Sequence, residues 1–270
     1  MKKIVILFII LLALWGILPG LLTVQTSFAS AYVFGIPKRI SLSNWQWLDW
    51  ERIFMWAKNS AIVVVPSTVL SVIVSCMAGY GFAKYEFPGR DALFTLFVIA
   101  MVVPALILFV PKFVIIAKMG FYNSYIGMIL PVILNPAGVF FARQYYQGMG
   151  DDILDAARVD GANEWQVFQK IILPMSKPLI TIVALFAFTL AWGDLLWQFI
   201  IARNPDLQTL VVGLTSVLQG HQEAMLDLDN ATVQGIEAAV STIVALPPMI
   251  LFASFSKYFV TGLRIQAGQT

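Results

Sequence analysis

The chain contains little of the chemistry on which most enzymes and metal proteins depend. Its 270 residues include one cysteine, Cys76, and one histidine, His221. A lone cysteine in an apolar run excludes a disulfide framework and a thiolate metal site, and a lone histidine excludes a histidine-rich one. No group of His, Asp or Cys occurs at catalytic spacing. We therefore expect neither a metal site nor a catalytic residue in this chain.

Charge is also scarce. Charged residues make up 12% of the chain and hydrophobic residues 59%, whereas about 25% of a soluble domain is charged. The composition predicts an integral membrane protein. With a net charge of +2 and scattered Lys and Arg, no nucleic-acid partner is expected. Phosphate-binding loops of the forms G-x-x-x-x-G-K-[ST] and G-x-G-x-x-G are absent, so nothing predicts a nucleotide cofactor in this chain.

Six apolar runs are long enough to cross about 30 Å of hydrocarbon as helices. They predict an all-α membrane protein with one transmembrane domain, residues 1–270, in a lipid bilayer. The predicted helices span 4–24, 59–81, 92–111, 125–146, 179–202 and 234–256.

The distribution of positive charge predicts the orientation. With the N-terminus inside, ten of the 17 lysines and arginines lie on the inner side, as the positive-inside rule favours. Both termini are then cytoplasmic. A competing interpretation treats the first apolar run as a signal peptide cleaved near Ala29-Ser30-Ala31; its length and Pro19-Gly20 favour an uncleaved helix instead.

Prolines interrupt the third and fourth predicted helices. They are Pro104 and Pro111 in one, and Pro131 and Pro136 in the other. A proline removes a backbone donor and kinks a helix, and within a membrane such a kink persists where protein or a watery cavity satisfies the freed carbonyl. These kinks predict either a lined pathway or ordinary helix packing.

One polar loop, residues 150–178, stands out between the fourth and fifth apolar runs. Asp151-Asp152 predicts a helix N-cap, followed by a short helix to about Asp160. Gly161 can adopt a left-handed backbone and end that helix. Asn163 can cap a second helix, which we expect Pro174 to stop. Its predicted apolar stripe comprises Val167, Phe168, Ile171 and Ile172.

This loop closely resembles the cytoplasmic "EAA" loop of permease subunits in binding-protein-dependent ABC importers. The family pattern is E-A-A, three residues, G, nine residues, I, any residue, L-P. All the spacings match, with Asp155 where the family has Glu. The matching residues are Asp155, Ala156, Ala157, Gly161, Ile171, Leu173 and Pro174.

Other stretches look like the shorter six-helix permease of the maltose-type carbohydrate branch. They include Phe87-Pro88-Gly89-Arg90, Trp192-Gly193-Asp194-Leu195-Leu196-Trp197 and Tyr258-Phe259-Val260-Thr261-Gly262-Leu263. Gly193 stands where the family usually has Asn. The resemblance implies a type I ABC importer fold in a bacterial or archaeal plasma membrane, and a role as a permease subunit for sugars or oligosaccharides.

The resemblance also implies partners. They are a second permease subunit, two cytoplasmic ATPase subunits that carry ATP and Mg, and an extracellular or periplasmic solute-binding protein. The loop at 152–174 would couple to the ATPase, with Asp155, Ala157, Asp160 and Gly161 as the expected contacts. The outer segment 203–233, which includes His221, would face the binding protein.

Polar groups at membrane depth are candidates for a substrate pathway. Asp194 and Gln198 lie four residues apart in the fifth predicted helix, hence on one face, with Trp192 and Trp197 beside them. A carboxylate with aromatic rings suits sugar hydroxyls and sugar C–H faces. An interhelical hydrogen bond is the alternative. Asn135 and Glu237 are weaker candidates, with packing roles favoured.

Two other functions remain alternatives at this stage. A secondary transporter acting alone would use Asp194 and Glu237 as titrating groups. A membrane-embedded enzyme would need a catalytic constellation, which the chain lacks. Purification of ATPase subunits that depends on residues 152–174 would separate the importer from both.

Overall fold

The computed structural model describes residues 2–33, 36–220 and 233–267. These residues are mostly helical, as apolar segments in lipid must be to satisfy their own backbone. Two compact units are formed by the described parts of Met1–Lys58 with Thr209–Met249, and of Asn59–Gln208 with Ile250–Thr270. The single domain expected from the sequence stays a prediction.

The helices follow one another with few other elements between them. They are α1 (Lys2–Ser27), α2 (Ser43–Gln46), α3 (Trp50–Lys84), α4 (Arg90–Val102), α5 (Phe109–Lys118), α6 (Tyr125–Ile133), α7 (Pro136–Gln147), α8 (Asp152–Val159), α9 (Glu164–Val167), α10 (Leu173–Met175), α11 (Lys177–Gly193), α12 (Leu195–Ile201), α13 (Leu210–Gly220) and α14 (Val233–Ala267). A π turn covers Phe168–Ile172 and a 3₁₀ turn covers Pro205–Leu207. An antiparallel hairpin of β1 (Ala29–Val33) and β2 (Ile36–Ile40) was not predicted.

Four helices among the described residues are long and apolar enough to cross a membrane. They are Phe8–Ser27, Trp50–Lys84, Tyr125–Gln147 and Val233–Phe255. The pair Glu164–Met175 and Lys177–Gly193 meets at 79° and would make a fifth if counted as one span. The predicted third helix, 92–111, is divided between α4 and α5. The predicted count of six spanning helices is therefore not confirmed.

Two of the four prolines lie at helix breaks. Pro104 falls in the turns between α4 and α5, and Pro136 is the first residue of α7. Pro111 and Pro131 lie within α5 and α6, respectively. Proline at the first helical position loses no bond, since that N–H has no intrahelical partner. The predicted interruptions of the third and fourth segments are thus confirmed, at one proline each.

Small residues allow close helix packing in the second unit. A Cβ added at Gly79 of α3 would lie 2.8 Å from the backbone nitrogen of Arg143 and 2.9 Å from the carbonyl carbon of Ala142, both in α7. A Cβ at Gly138 of α7 would collide with Ser75 of α3. Glycine therefore lets α3 and α7 approach more closely than any larger residue would.

A buried asparagine organises part of the first unit. The side-chain amide of Asn44 donates to the carbonyls of Ser27, at 3.0 Å, and Ala29, at 2.9 Å. These bonds satisfy carbonyls near the end of α1, which an isolated helix end would leave unpaired. The hairpin that follows α1 is thereby held next to α2.

Candidate functional site

The first helix of the polar loop, α8, begins as predicted but without the predicted cap. Asp151 makes no capping bond with its side chain. Its carboxylate instead accepts a hydrogen bond of 2.6 Å from Lys84, whose ammonium also donates to the carbonyl of Met149 at 2.6 Å. The bond from Lys84 lowers the pKa of Asp151 below its ordinary range. The Asp151 carboxylate therefore binds Lys84 of α3 and leaves the first N–H groups of α8 uncapped by this side chain.

Gly161 forms the elbow that the sequence predicts. Its φ angle is +86°, in the left-handed region that a side chain disfavours. Its N–H donates to the carbonyl of Arg158 and that of Ala162 to the carbonyl of Ala157, both at 3.0 Å. These two bonds form a Schellman motif, which satisfies the last carbonyls of α8. No atom lies within 4 Å of where a Cβ on Gly161 would stand.

Asn163 caps the second loop helix, again as predicted. Its side-chain oxygen accepts the N–H of Gln166, and the Gln166 side chain accepts the N–H of Asn163, both at 2.9 Å. This is a complete capping box.

The expected stop at Pro174 is wrong. The helical path continues through it to Met175 and turns only at Ser176. A proline ring clashes with the carbonyl four residues earlier, here that of Lys170. The π turn at Phe168–Ile172 widens the helix at this place, and such a widening accommodates the ring without ending the helix.

The loop is anchored to the helix bundle by buried side chains. Leu154 of α8 is 2% exposed, and Val167 and Ile172 are fully buried. They belong to one apolar cluster with Tyr146 of α7. Anchors on both loop helices make the loop a packed part of the second unit.

Helix α8 also carries exposed apolar side chains. Val159 is 87% exposed and Ile153 is 51% exposed. Ile153, Ala156 and Val159 are all exposed and follow one another three residues apart, so they form one row along α8. We call these three residues the outer face of α8. Two large apolar side chains therefore lie exposed on this row of a polar loop.

The predicted coupling residues divide between the two sides. Asp155, Ala156, Asp160, Gly161 and Pro174 are exposed, Ile171 and Leu173 are half-buried, and Ala157 packs against the buried cluster. Ala157 therefore lies outside the outer face, and its predicted contact role stays a prediction. Val159 was missed, although its position out of phase with Leu154 and Ala157 could have revealed it.

An ionic network surrounds the elbow. The Arg158 guanidinium donates to Asp155 and Glu164, at 2.9 Å each, and the Tyr85 hydroxyl donates to Glu164. The bonds from Arg158 and then Tyr85 lower the pKa of Glu164, and the bonds to Glu164 and Asp155 raise the pKa of Arg158.

The fifth predicted helix is broken at Asp194. Helix α11 ends at Gly193 and α12 begins at Leu195. The Asp194 carboxylate accepts the N–H of Trp197 at 3.2 Å and so caps α12. The prediction that Asp194 and Gln198 share one face of a continuous helix is therefore wrong. Aspartate competes for backbone donors in this way, which favours helix starts over helix interiors.

Three of the four predicted pathway residues make packing contacts within the chain, and their pathway role stays a prediction. Trp197 is fully buried and donates to the carbonyl of Gly127 at 3.1 Å. Gln198 is 2% exposed and donates to the carbonyl of Ala191 at 2.6 Å. Trp192 stacks on Phe188, with ring centroids 5.8 Å apart. For Gln198, the interhelical alternative describes the contact better than substrate binding does.

Asp194 itself lines a cavity of about 410 Å³ at the three helix breaks. Its other polar lining residues are Lys112, Asn135 and Thr189. The Lys112 ammonium lies 4.1 Å from the centroid of the Trp197 ring, a cation–π contact. Asn135 accepts the N–H of Gly138 at 3.2 Å, while its side-chain nitrogen has no hydrogen-bond partner among the described residues.

Lys112 is the main residue missed by the sequence. The orientation rule placed it outside the membrane as an ordinary flanking charge. Its contact with the Trp197 ring depends on how α5 packs against α12, which the local sequence does not encode. Among the described residues, no group of three or more His, Cys, Asp or Glu could hold a metal.

The segment 203–233, which the sequence predicts to lie outside, is only partly described. Asn204 accepts the N–H of Asp206 at 3.0 Å and so starts a 3₁₀ turn. Asn59 of α3 donates to the carbonyls of Asp206, at 2.7 Å, and Gln208, at 2.9 Å. The segment therefore starts from a fixed position. His221, Glu223, Asp227 and Asp229 lie outside the described residues.

Comparison with known proteins shows the family. Residues 71–265 match the model of the binding-protein-dependent transport system inner membrane component. The chain belongs to this family. The permease is 36% identical over 231 residues to the arabinooligosaccharides transport system permease protein AraQ of Bacillus subtilis (strain 168), covering 85% of this chain and 79% of that protein.

Two further similarities cover more of the permease. The maltodextrin transport system permease protein MdxG of Bacillus subtilis (strain 168) is 29% identical over 264 residues, which is 95% of this chain and 92% of that protein. The crystal structure of a bacterial ABC transporter involved in the import of the acidic polysaccharide alginate contains a chain with TM-score 0.81 at 20% identity, covering 96% of each chain.

These similarities confirm the predicted importer permease fold. They make the chain a membrane-spanning permease subunit of an ABC importer, not an enzyme, with the ATPase on separate subunits. A secondary transporter acting alone is not favoured.

Proposed function

We propose that this permease imports a sugar or oligosaccharide as one half of a heterodimer with a second permease. Two ATPase subunits, which bind ATP and Mg, would dock on the cytoplasmic loop, and a solute-binding protein would deliver the solute from outside. Both termini would be cytoplasmic.

The exposed outer face of α8 carries this proposal. Ile153 and Val159 present apolar surface to the aqueous side of a loop whose Leu154 is buried in the bundle. Burial of that surface against an ATPase would contribute favourable free energy, at about 25 cal/mol for each Å² removed from water.

The anchoring supports a mechanism for coupling. When the ATPase subunits close, α8 would move with them, and the buried side chains of both loop helices would carry the motion into α7 and α11. Packed cores shift between discrete arrangements and do not deform continuously. Closure would therefore change the access of the transport pathway.

Two observations support a carbohydrate as the transported solute. AraQ and MdxG are named for arabinooligosaccharides and maltodextrin. The cavity at Asp194 offers an acceptor in the carboxylate and a donor in the Lys112 ammonium. Vicinal hydroxyl groups can donate to one and accept from the other. We assign the cavity to the solute pathway, with Asp194 and Lys112 as its contacts.

Copurification tests the docking role. Val159→Asp should remove the ATPase subunits from the purified complex, because a carboxylate at the contact must be desolvated without a partner. Met119→Asp is the control, since Met119 is also exposed but lies at the end of α5, away from the loop. Retention of the ATPase subunits by the Val159 variant would refute the docking role.

Competition for uptake tests the solute. Cells that depend on this transporter should take up radiolabelled arabinotriose or maltotriose, and unlabelled sugar of the same kind should compete. Uptake that glycerol 3-phosphate blocks, but no sugar does, would refute the carbohydrate assignment.

A further inference from the structure

Four side chains on either side of the elbow and at the end of α3 are joined by hydrogen bonds. They are Tyr85, Asp155, Arg158 and Glu164, and we call them the elbow clamp. Arg158 donates to Asp155 and Glu164 at 2.9 Å each. Glu164 also accepts from the Tyr85 hydroxyl, which comes from a position 79 residues earlier.

The glycine at the elbow does not by itself fix the angle between the two loop helices. Gly161 has open space around it, and glycine populates a wide range of backbone angles. The Schellman bonds end α8 but do not set the direction of the next helix. Arg158 lies in the last turn of α8 and Glu164 is the first residue of α9, so their ion pair spans the elbow.

The last turn of α3 and the residue after it hold both ends of α8. Lys84, the last residue of α3, pairs with Asp151 just before α8 starts. Tyr85, the next residue, bonds to Glu164 just beyond the elbow. The Lys84 side chain is only 7% exposed, whereas that of Asp151 is 68% exposed, so solvent screens this pair from the Asp151 side.

We propose that the elbow clamp is a positioning device, which fixes the angle between α8 and α9 and passes movement of α8 to the end of α3. The proposal rests on the docking of the ATPase proposed above. It assigns Asp155 to this intramolecular network, and leaves the ATPase contact to the outer face of α8.

The four side chains of the elbow clamp form one connected network, and this connection stabilises them. Side chains of Asp155, Arg158 and Glu164 are 66%, 37% and 48% exposed, and single exposed ion pairs contribute little. Arg158 binds two carboxylates with its rigid planar group, and Tyr85 adds a charge-assisted bond. The lowered pKa of Glu164 agrees with this pairing.

Distance measurement tests the clamp directly. Spin labels on cysteines placed at Asp152 and Gln169, both exposed, report the angle between the two loop helices in the complete transporter. The native Cys76 is buried and should react little. Tyr85→Phe and Glu164→Ala should each widen the distance distribution, and the double variant should be no wider than Glu164→Ala alone, since both variants lack the bond between Tyr85 and Glu164.

Chemical specificity is tested at Arg158. Arg158→Lys keeps the charge but cannot hold two carboxylates in one plane, so it should also widen the distribution. Tyr122→Phe is the control: Tyr122 is exposed and lies outside the clamp, and its loss of a hydroxyl should leave the distribution unchanged.

Coupling is measured in the same preparations. With radiolabelled arabinotriose as the probe, ATP hydrolysed per sugar transported should rise about two- to fivefold in the Tyr85 and Glu164 variants. Unchanged distance distributions would overturn the clamp. Wider distributions with unchanged coupling would overturn its role in passing on movement. Failure of the docking proposal is seen separately, as ATPase subunits that stay bound to Val159→Asp.

Discussion

The polar loop, residues 150–178, and the cavity at Asp194 are both built from helix ends, but their charged side chains are arranged in different ways. In the loop, Arg158 and Glu164 bind each other, and Lys84 binds Asp151. In the cavity, Lys112 and Asp194 form no ion pair with each other within 4.0 Å, although both line the same space. In the function proposed above, the paired charges would brace the loop, whereas the two cavity charges, which are held apart, would remain within reach of a solute.

The largest expected effect lies at the elbow. Gly161→Pro should abolish uptake, because proline fixes φ near −65° where the loop needs +86°, and because it removes the bond to Arg158. Membrane insertion should survive. Uptake assays with a membrane-fraction immunoblot check both expectations.

Substitution by alanine separates backbone strain at Gly161 from steric crowding of a side chain there. Gly161→Ala should cost about 1–2 kcal/mol through its backbone alone, since nothing crowds a Cβ there. Gly150→Ala is the matched control, because Gly150 is equally open but its φ is not positive. Equal stability of the two variants would contradict the strained elbow.

After the loss of uptake in Gly161→Pro, the largest expected effect is the difference in stability between variants at Leu154 and at Val159. Leu154→Ala should destabilise the protein by about 2–5 kcal/mol, because it leaves a cavity in a packed cluster. Val159→Ala should stay within about 0.5 kcal/mol yet weaken ATPase binding. Thermal unfolding in detergent gives the first quantity and copurification the second. A stability loss at Val159 as large as that at Leu154 would remove the distinction between anchor and docking face.

The cavity should respond to charge without loss of structure. Asp194→Asn keeps a good helix cap but removes the charge, so KM for the sugar should rise about tenfold while ATPase subunits remain bound. Lys112→Met should act in the same direction. An unchanged KM in both variants would leave the cavity with a packing role only.

The smallest expected effect is that of pH on the loop. The pKa of Glu164 and of Asp151 is lowered in the folded protein. Stability from a lowered carboxyl pKa is present above the ordinary value, about 4.3 for Glu, and is lost only as pH falls through the lower folded value. The distance distribution between labels at Asp152 and Gln169 should therefore stay constant from about pH 8 to about pH 5. Broadening near neutral pH would show that the carboxylates are not held as described.

Local sequence predicts the loop better than the cavity. The left-handed glycine at Gly161 and the cap at Asn163 follow from the preferences of single residues. The apolar stripe from Val167 to Ile172 follows from helical spacing. Each of these features depends on residues fewer than ten positions apart, so a pattern in the sequence suffices to predict it.

The errors share a physical origin. At Asp151, a cap was predicted, but Lys84 of α3 binds the carboxylate instead. At Asp194, a continuous helix was predicted, but the carboxylate caps a new one. At Pro174, the second loop helix was predicted to end, but a π turn widens the helix and accommodates the proline ring. Polar residues and prolines have several local solutions of similar free energy, and packing with distant segments selects one.

Local sequence is enough to predict a membrane-spanning chain and a two-helix loop with a glycine elbow, because burial of apolar runs and backbone preferences are local properties. Which charges are paired, and which side chains of α8 are exposed, depends on the packed fold. Tyr85 meets Glu164, and Lys112 meets Trp197, through segments far apart in the chain. Such contacts arise from the packing of whole helices, whose relative positions no single stretch of sequence specifies.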